Sequence, residues 1–444
     1  ATGGFVETSG KDFIIDKNTQ IKAKTWLIDP ANLTVSDATA YETSLNAGTN
    51  TLIQTNNTSG SDEGNIYIND TIDWTTTAKL TLDAYKNIYI NSAITANSGG
   101  QLAFYYGQGA LNASNTSNYY VNAKVNLSAG DNFFTKLGSD VTEKTYKVIT
   151  SLGSEGSTTG TDLQGINGNL TGNYVLGTDI FASSTSTWEN GAGFKSIIGE
   201  VTYINRNDQS VISKSQYDTL TGMDRMNYMQ QQHFFSGMFD GLGHTISNMT
   251  INRPSDNNYV GLFSTISGAT IQNLGLINVN FHNNSLAGGI AGTAQNSNIS
   301  NSYVTGVITA NTNSAGGLVG DFSGSKILNS YSTANVSGGN CVGGLVGNLS
   351  NNSSITNSYT AGEVYGNSSG WAIGGLVGNQ GGNIDNSYSM GKVYGTGSYL
   401  GGLIGKYYSG TTTNSFWNTQ TSGQSTSARG TGITTAEFAN ASTF

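Results

Sequence analysis

Proline, cysteine, histidine and charged residues are scarce in this chain of 444 residues. It contains two Pro, one Cys and three His, and Asp, Glu, Lys and Arg together make up 11%. One cysteine excludes an internal disulfide, and the three histidines show no metal-ligand spacing, so we expect neither a cofactor nor a bound metal. The net charge of −9, without any Lys/Arg cluster, argues against a nucleic-acid partner. No apolar run is long enough to span a membrane.

Glycine is as abundant as proline is rare, with 60 Gly against two Pro. This balance suits a chain that turns every few residues and still donates every ladder hydrogen bond, since proline has no N–H to give. Glycine alone would also fit a flexible linker. The 23 Tyr, 16 Phe and 36% hydrophobic residues argue against that alternative, because a disordered tract carries little apolar material. We expect the single Cys341 to be a small buried residue.

The second half of the chain repeats one short sequence motif five times. A Gly-Gly-hydrophobic-hydrophobic-Gly box recurs and is followed by Asn-Ser-Tyr or Asn-Ser-Phe. The boxes are Ala287–Gly292, Gly316–Gly320, Gly343–Gly347, Gly374–Gly378 and Gly401–Gly405. The aromatic positions of the triplets are Tyr303, Tyr331, Tyr359, Tyr388 and Phe416, at spacings of 28, 28, 29 and 28 residues. A fixed period in this range indicates stacked supersecondary units.

The repeating unit reads as β-structure. Its apolar runs, such as Val304–Ile308, are short, rich in β-branched residues and bounded by Gly, Asn and Ser. An Ile-Tyr-Ile text also recurs in the first part of the chain, at Ile66–Ile68 and again 22 residues later at Ile88–Ile90. The sequence therefore predicts an all-β fold, an elongated right-handed parallel β-helix with about three short strands in each coil.

Differences in sequence pattern divide the chain into four segments. Residues 1–150 carry the Ile-Tyr-Ile coils, and residues 151–285 form a transition with an insertion at 200–234 that departs from the solenoid pattern. Regular boxes fill residues 286–424, and residues 425–444 are a C-terminal tail or cap. Because each coil of a solenoid touches only its neighbours, this length needs no further globular core, and we expect a monomer.

Several sequence motifs are specific enough to resemble those of a known family. Phe239–Ile246 (Phe-Asp-Gly-x-Gly-His-Thr-Ile), Val260–Phe263, the Gly-Gly boxes and the closing Asn414–Thr419 resemble the GLUG-repeat region of large bacterial surface exoproteins. The opening texts at residues 3–10 and 23–30 resemble the segment that follows the secretion domain in filamentous-haemagglutinin-like and high-molecular-weight adhesins of two-partner secretion systems.

The resemblance implies a secreted β-helix on the surface of a Gram-negative bacterium that works in adhesion. Its implied partners are a host-cell receptor or glycan and the outer-membrane transporter that secretes such proteins. The family's signal peptide and secretion domain are not found in this text, so we expect a piece of a longer exoprotein. A passive spacer for a binding domain elsewhere is an alternative role.

A second alternative is a β-helical carbohydrate-active enzyme of the polysaccharide lyase or glycosidase type, which needs convergent carboxylates on one face. The best candidates are Asp218, Asp224, Arg225, His233, Asp240 and His244. Asp240 and His244 fall inside the Phe-Asp-Gly-x-Gly-His turn, where a capping carboxylate and a hydrogen-bonded imidazole are typical. Asp218 and Asp224 fit a solvated loop and a local cap. We therefore predict that the chain is not an enzyme.

The insertion at 200–234 is the predicted place for binding. Met223, Met226 and Met229 recur at helical spacing among several tyrosines. Such a stripe commonly covers neighbouring core. The other interpretation is a lateral excursion that contacts a partner, because binding tends to reside in insertions on a rigid scaffold. The candidate binding residues are Tyr217, Asp224, Arg225, Tyr228 and His233.

Overall fold

A computed structural model describes residues 4–10, 15–56, 63–198, 202–350, 352–367 and 369–440. These residues form an all-β parallel β-solenoid with few helices, which confirms the predicted fold class. The chain divides into two compact units. The first comprises residues 1–151, 173–180 and 239–245, and the second comprises residues 152–172, 181–238 and 246–444.

Short strands dominate the chain as far as residue 149, and the one helix described there is α1 (Thr39–Asn46). The strands are β1 (Phe5–Ser9), β2 (Thr25–Asp29), β3 (Leu33–Val35), β4 (Asn50–Gln54), β5 (Ile66–Ile68), β6 (Ile72–Trp74), β7 (Lys79–Asp83), β8 (Ile88–Ile90), β9 (Ile94–Ala96), β10 (Gln101–Tyr106), β11 (Tyr119–Val121), β12 (Val125–Leu127), β13 (Gly130–Leu137) and β14 (Lys144–Ile149).

The next hundred residues mix strands with short helical turns. The helices are two 3-10 segments, Gln164–Gly168 and Ser183–Gly191, followed by α2 (Lys214–Thr219) and α3 (Met223–Met226). The strands are β15 (Asn173–Leu176), β16 (Ile180–Phe181), β17 (Thr202–Asn205), β18 (Val211–Ser213), β19 (Tyr228–Gln231), β20 (Met238–Asp240), β21 (Thr245–Ser247) and β22 (Thr250–Arg253).

From residue 263 onward the coils are regular, with α4 (Thr419–Ser422) and α5 (Thr435–Phe438) near the C-terminus. The strands are β23 (Phe263–Ser267), β24 (Thr270–Gln272), β25 (Gly275–Asn283), β26 (Ala287–Gly288), β27 (Ala291–Gln295), β28 (Asn298–Ser300), β29 (Tyr303–Ala310), β30 (Ala315–Gly316), β31 (Val319–Ser323), β32 (Lys326–Leu328), β33 (Tyr331–Ser332), β34 (Asn335–Gly338), β35 (Cys341–Gly343), β36 (Val346–Leu349), β37 (Ser354–Thr356), β38 (Tyr359–Thr360), β39 (Val364–Gly366), β40 (Ala372–Gly374), β41 (Val377–Gln380), β42 (Asn383–Asp385), β43 (Tyr388–Ser389), β44 (Val393–Gly395), β45 (Tyr399–Gly401), β46 (Ile404–Tyr407), β47 (Thr412–Thr413), β48 (Phe416–Asn418) and β49 (Thr431–Ile433).

The first unit stacks its coils in parallel register. One ladder runs β1-β2-β4-β7-β10-β13-β14-β15, and its β13–β14 step is antiparallel. The predicted 22-residue coil is confirmed by β5 and β8, in which Ile66 pairs with Ile88 and Tyr67 with Tyr89. Both isoleucines are fully buried while the tyrosines face outward, because side chains alternate along a strand.

The second unit repeats the same arrangement with a longer coil. One ladder runs β23-β27-β31-β36-β41-β46, and it stacks Val346 on Val377 and Val377 on Ile404 inside the core. A coil such as β30–β34 contains five short strands, so the prediction of about three, which holds for the coil β5–β7 of the first unit, is too low for the second unit. The reason is local. Gly317 and Leu318 form a bend between β30 and β31, and Asn329 in the left-handed region (φ 49°) separates β32 from β33.

Glycine in the boxes is required by close backbone approach. A Cβ placed on Gly316 would lie 2.0 Å from the carbonyl oxygen of Val319, and one on Gly320 would lie 2.8 Å from that of Gly292. No side chain fits between these segments. Cys341, just before its box, is buried as predicted, and burial raises the pKa of its thiol to about 11.

Candidate functional site

Residues 202–231 leave the solenoid pattern, as the sequence predicted. They form a three-stranded antiparallel sheet in the order β18-β17-β19, with α2 and α3 inserted between β18 and β19. Ser213 caps α2 by accepting a hydrogen bond from the backbone N–H of Gln216, whose side chain bonds back in a capping box. We call residues 202–231 the excursion.

Three of the five predicted binding residues meet on one side of this sheet. The Tyr217 ring stacks on Tyr203 with centroids 3.7 Å apart and planes within 3°. Tyr228 meets Tyr217 edge-on at 6.2 Å, and the Arg225 guanidinium lies 5.2 Å from the Tyr217 ring centroid. Sequence reasoning missed Tyr203, because its partnership with Tyr217 depends on how α2 folds back over β17.

Arg225 ties this aromatic cluster together through the backbone. Its Nε donates to the carbonyl oxygen of Leu220 and its Nη2 to that of Asp218, both at 2.8 Å. These bonds hold the loop between α2 and α3 against the stacked tyrosines, so Arg225 has an internal structural role. The neighbouring Asp224 lies in the single turn of α3 and is exposed.

The methionines do not form a stripe over the core, which corrects the interpretation from helical spacing. Met223, Met226 and Met229 are 80%, 72% and 53% exposed. Met223 and Met226 belong to the four-residue α3, whereas Met229 lies in β19 and pairs with Ile204 of β17. Strand pairing therefore ends the helix after one turn and breaks the apparent period.

His233 lies in a groove of about 790 Å³ within the second unit. The groove's lining includes Asn169, Lys195, Thr202, Gln232, His233 and Phe234. His233 Nε2 is 2.8 Å from Thr202 Oγ1, so β17 and the residues after β19 share one wall.

Another part of the lining, the segment that carries Lys195, is held by a buried amide. Gln164 is fully buried, and its Nε2 donates to the carbonyl oxygen of Lys195 at 2.9 Å while its Oε1 accepts from the Lys195 backbone N–H at 3.2 Å. Asn167 Oδ1 accepts from the backbone N–H of Ile198 at 2.7 Å. These bonds fix the segment that carries Lys195, which no sequence motif had indicated.

Asp240 and His244, candidates for an enzymatic cluster, are held inside the first unit. Asp240 Oδ2 accepts from the Tyr119 hydroxyl at 2.5 Å and its Oδ1 from the Leu242 backbone N–H at 2.8 Å. His244 is 1% exposed; its Nε2 donates to the carbonyl oxygen of Val125 at 3.0 Å. Burial lowers the pKa of His244. Both side chains are part of the coil, as the sequence interpretation expected.

The described residues contain no group of three or more His, Cys, Asp or Glu side chains that could hold a metal ion. Helices in the same part of the chain are all too short or too polar to cross a membrane.

Comparison with known proteins places the regular coils in a recognised class of repeat. The GLUG motif model matches residues 283–309, 338–365 and 369–394, which confirms the presence of GLUG repeats and covers three of the five predicted boxes. The chain is thus a parallel β-solenoid that carries GLUG repeats.

One curated relative is halomucin of Haloquadratum walsbyi (strain DSM 16790 / HBSQ001), 36% identical over 124 residues. The match spans 27% of this chain and only 1% of halomucin. Among solved structures, a candidate immunoglobulin A1 protease from Bacteroides ovatus is 18% identical with a TM-score of 0.46, and the match covers 66% of this chain and 86% of that one. A second, described as an IgA1 protease, is 21% identical with a TM-score of 0.44 and covers 66% and 22%.

Proposed function

We propose that this chain is part of an extracellular adhesin and that it binds glycan in the groove beside the excursion. The observation that supports this most directly is the combination of groups in that groove. Phe234 supplies an aromatic surface, and Asn169, Gln232 and Thr202 supply amide and hydroxyl groups around it. An apolar or aromatic platform with a few fixed polar groups is the usual composition of a small-ligand site.

The chemistry of these side chains suits a sugar. Amides both donate and accept hydrogen bonds, so they pair with hydroxyl groups in either role. Lys195 and His233 add further polar groups to the lining, and the Lys195 backbone is fixed by Gln164. A groove whose walls are fixed before binding loses little conformational entropy when a ligand enters.

An extracellular location is supported by the GLUG repeats and by the similarity to halomucin. Secretion by a two-partner system with an outer-membrane transporter, and a Gram-negative source, rest on the resemblance of residues 3–10 and 23–30 alone. Both remain part of the proposal.

A binding role is proposed in preference to an enzymatic one. Asp240 and His244 form hydrogen bonds inside the coil. Arg225 donates hydrogen bonds to backbone carbonyl groups. Asp218 and Asp224 lie on α2 and α3, next to the aromatic cluster of the excursion. The internal bonds of Asp240, His244 and Arg225 therefore support a binding role over general acid–base catalysis by these groups.

The test is a glycan-array and host-cell binding screen on the full chain. Phe234→Ala should abolish binding because it removes the aromatic surface, and Asn169→Ala should weaken it. The matched control is Phe181→Ala, which removes a phenylalanine that is 69% exposed in β16.

Two outcomes would contradict the proposal. Equal binding by the wild type, Phe234→Ala and Asn169→Ala would show that the groove is not the site. No binding by the wild type to any glycan or cell would favour the passive spacer. Deleting residues 205–231, which keeps the groove residues Thr202, Gln232, His233 and Phe234, in a chain that still folds separates the excursion's contribution from that of the groove.

A further inference from the structure

A second groove, of about 860 Å³, follows the last GLUG coils. Tyr388 and Phe416 form its floor, Asn386 and Asn414 one wall, and Phe438 of α5 its end. Its volume lies within the range of about 300–1,000 Å³ that small-molecule sites occupy. Nothing in the proposed glycan site uses these residues.

The wall is a rigid ladder of amides. Asn414 Nδ2 donates to Asn386 Oδ1 at 3.1 Å, and Asn357 Nδ2 donates to Asn329 Oδ1 at 3.2 Å in the same way. The backbone of each of these residues is in the left-handed region, with φ between 42° and 50°. These bonds hold the side chains in two pairs, Asn329 with Asn357 and Asn386 with Asn414, so the wall presents amide groups that are fixed before a ligand arrives.

The floor decides which chemistry fits. Tyr359 and Tyr388 stack with centroids 5.0 Å apart and planes within 7°, so these rings cover one another's faces and turn their edges outward. Aromatic edges carry the positive end of the ring quadrupole and attract the negative face of another π-system. A sugar ring packs instead on an open aromatic face, and the Tyr388 face toward Tyr359 is covered by that stack.

The end wall adds a ring at a different angle. Phe438 lies 5.7 Å from the Tyr388 centroid, with planes at 59°. It is carried by α5, whose start is fixed by a capping box between Thr434 and Glu437 and by the bond from Asn418 Nδ2 to Thr435 Oγ1 at 2.9 Å. The groove is therefore closed at one end by an anchored aromatic side chain.

We infer that this groove binds a flat, elongated aromatic small molecule. The ligand lies along the groove against the outward ring edge of Tyr388 and beside Phe416, with its end against Phe438. Heteroatoms at its rim pair with the amide groups of the asparagine ladder.

The first unit supplies an internal comparison. Tyr67, Tyr89 and Tyr120 stack at 4.8 and 4.9 Å, and Asn91 Nδ2 donates to Asn69 Oδ1 at 2.8 Å beside them. Among the described residues, no further aromatic side chain closes that stack as Phe438 closes the groove. A ligand that needs only stacked tyrosines would bind both to the stack of Tyr67, Tyr89 and Tyr120 and to the groove. A ligand that also needs Phe438 would bind to the groove alone.

The experiment titrates the full chain with thioflavin T, a planar, elongated dye whose fluorescence rises when its internal rotation is blocked. We expect one saturable site per chain. Phe438→Ala should weaken dye binding at least tenfold, and Phe438→Leu, which keeps apolar packing for α5 but removes the ring, should weaken it severalfold. Tyr67→Ala should leave binding unchanged.

Three results would overturn the inference. The first is binding of more than one dye molecule per chain. The second is binding by both Phe438 variants that is as tight as in the wild type. Either result would mean that the dye binds to any stack of tyrosine rings and does not require the groove. The third is displacement of the dye by a neutral oligosaccharide such as maltoheptaose, which would assign the groove to carbohydrate.

Discussion

The rings of Tyr303 and Tyr331 lie 4.9 Å apart and within 3° of parallel, although 28 residues separate them in the chain. The column continues through Tyr359 at 4.8 Å and Tyr388 at 5.0 Å. The rung spacing of a parallel sheet, about 4.8 Å, is close to the stacking distance of aromatic rings, so the repeat positions like side chains for contact.

The stack predicts a positional difference in stability. In the similar stack of the first unit, Tyr89→Ala removes ring contacts with Tyr67 and Tyr120, whereas Tyr67→Ala removes the ring contact with Tyr89. Each aromatic pair contributes about 0.5–1.5 kcal/mol beyond simple burial, so Tyr89→Ala should cost about 1 kcal/mol more. Urea unfolding followed by tyrosine fluorescence measures the difference. Equal losses for the two variants would mean that ring contact adds nothing to burial.

The glycine boxes predict that an added side chain lowers stability through steric overlap with the neighbouring backbone, and not only through backbone strain. Gly316→Ala places a methyl group 2.0 Å from the Val319 carbonyl oxygen, and the backbone there is stacked on both sides. We expect a loss at or above the upper end of the roughly 1–3 kcal/mol typical of overpacking. Thermal unfolding monitored by circular dichroism measures it.

Gly423→Ala is the control for the box. Gly423 has φ 68° but open space around its Cβ position, so this change costs only left-handed backbone strain, about 1 kcal/mol. If Gly423→Ala destabilises the chain as much as Gly316→Ala does, the close backbone approach is not what requires glycine in the boxes.

Much of this fold could be predicted from sequence, because each repeated position stacks on the equivalent residue of the next coil. Ile66 over Ile88 follows from spacing alone. Contacts between unlike segments could not be predicted in this way: Gln164 fixing Lys195, and Tyr203 stacking on Tyr217, join residues that no period relates. The methionine spacing was misleading because pairing of Met229 with Ile204 overrides a weak helical preference.

Asp83 predicts a pH dependence of stability in the first unit. Burial raises the pKa of this carboxyl to about 6, and its Oδ1 has no hydrogen-bond partner. In the unfolded chain an aspartate has a pKa of about 3.9. The folded state therefore binds the proton more tightly, and stability should fall as pH rises from about 4 to about 6.5.

Replacing this carboxyl isolates the effect. Asp83→Asn should be more stable than the wild type at pH 7 by about 2–3 kcal/mol, and the advantage should shrink towards zero near pH 4. Urea unfolding at several pH values measures both. The control, Asp131→Asn, removes a more exposed carboxylate that pairs with Lys147 at 2.7 Å and should keep the wild-type slope. A slope unchanged in Asp83→Asn would assign the pH dependence to other groups.

The excursion predicts a local effect without a global one. Arg225 closes the loop between α2 and α3 through two backbone carbonyl groups and contacts the Tyr217 ring. Arg225→Ala should therefore raise amide hydrogen exchange at residues 216–228 severalfold while the coils from residue 263 onward exchange as before. Met226→Ala is the matched control, because that side chain is 72% exposed on the same short helix. Faster exchange throughout the coils would show that the excursion supports the solenoid, and unchanged exchange at 216–228 would show that Arg225 does not hold the loop.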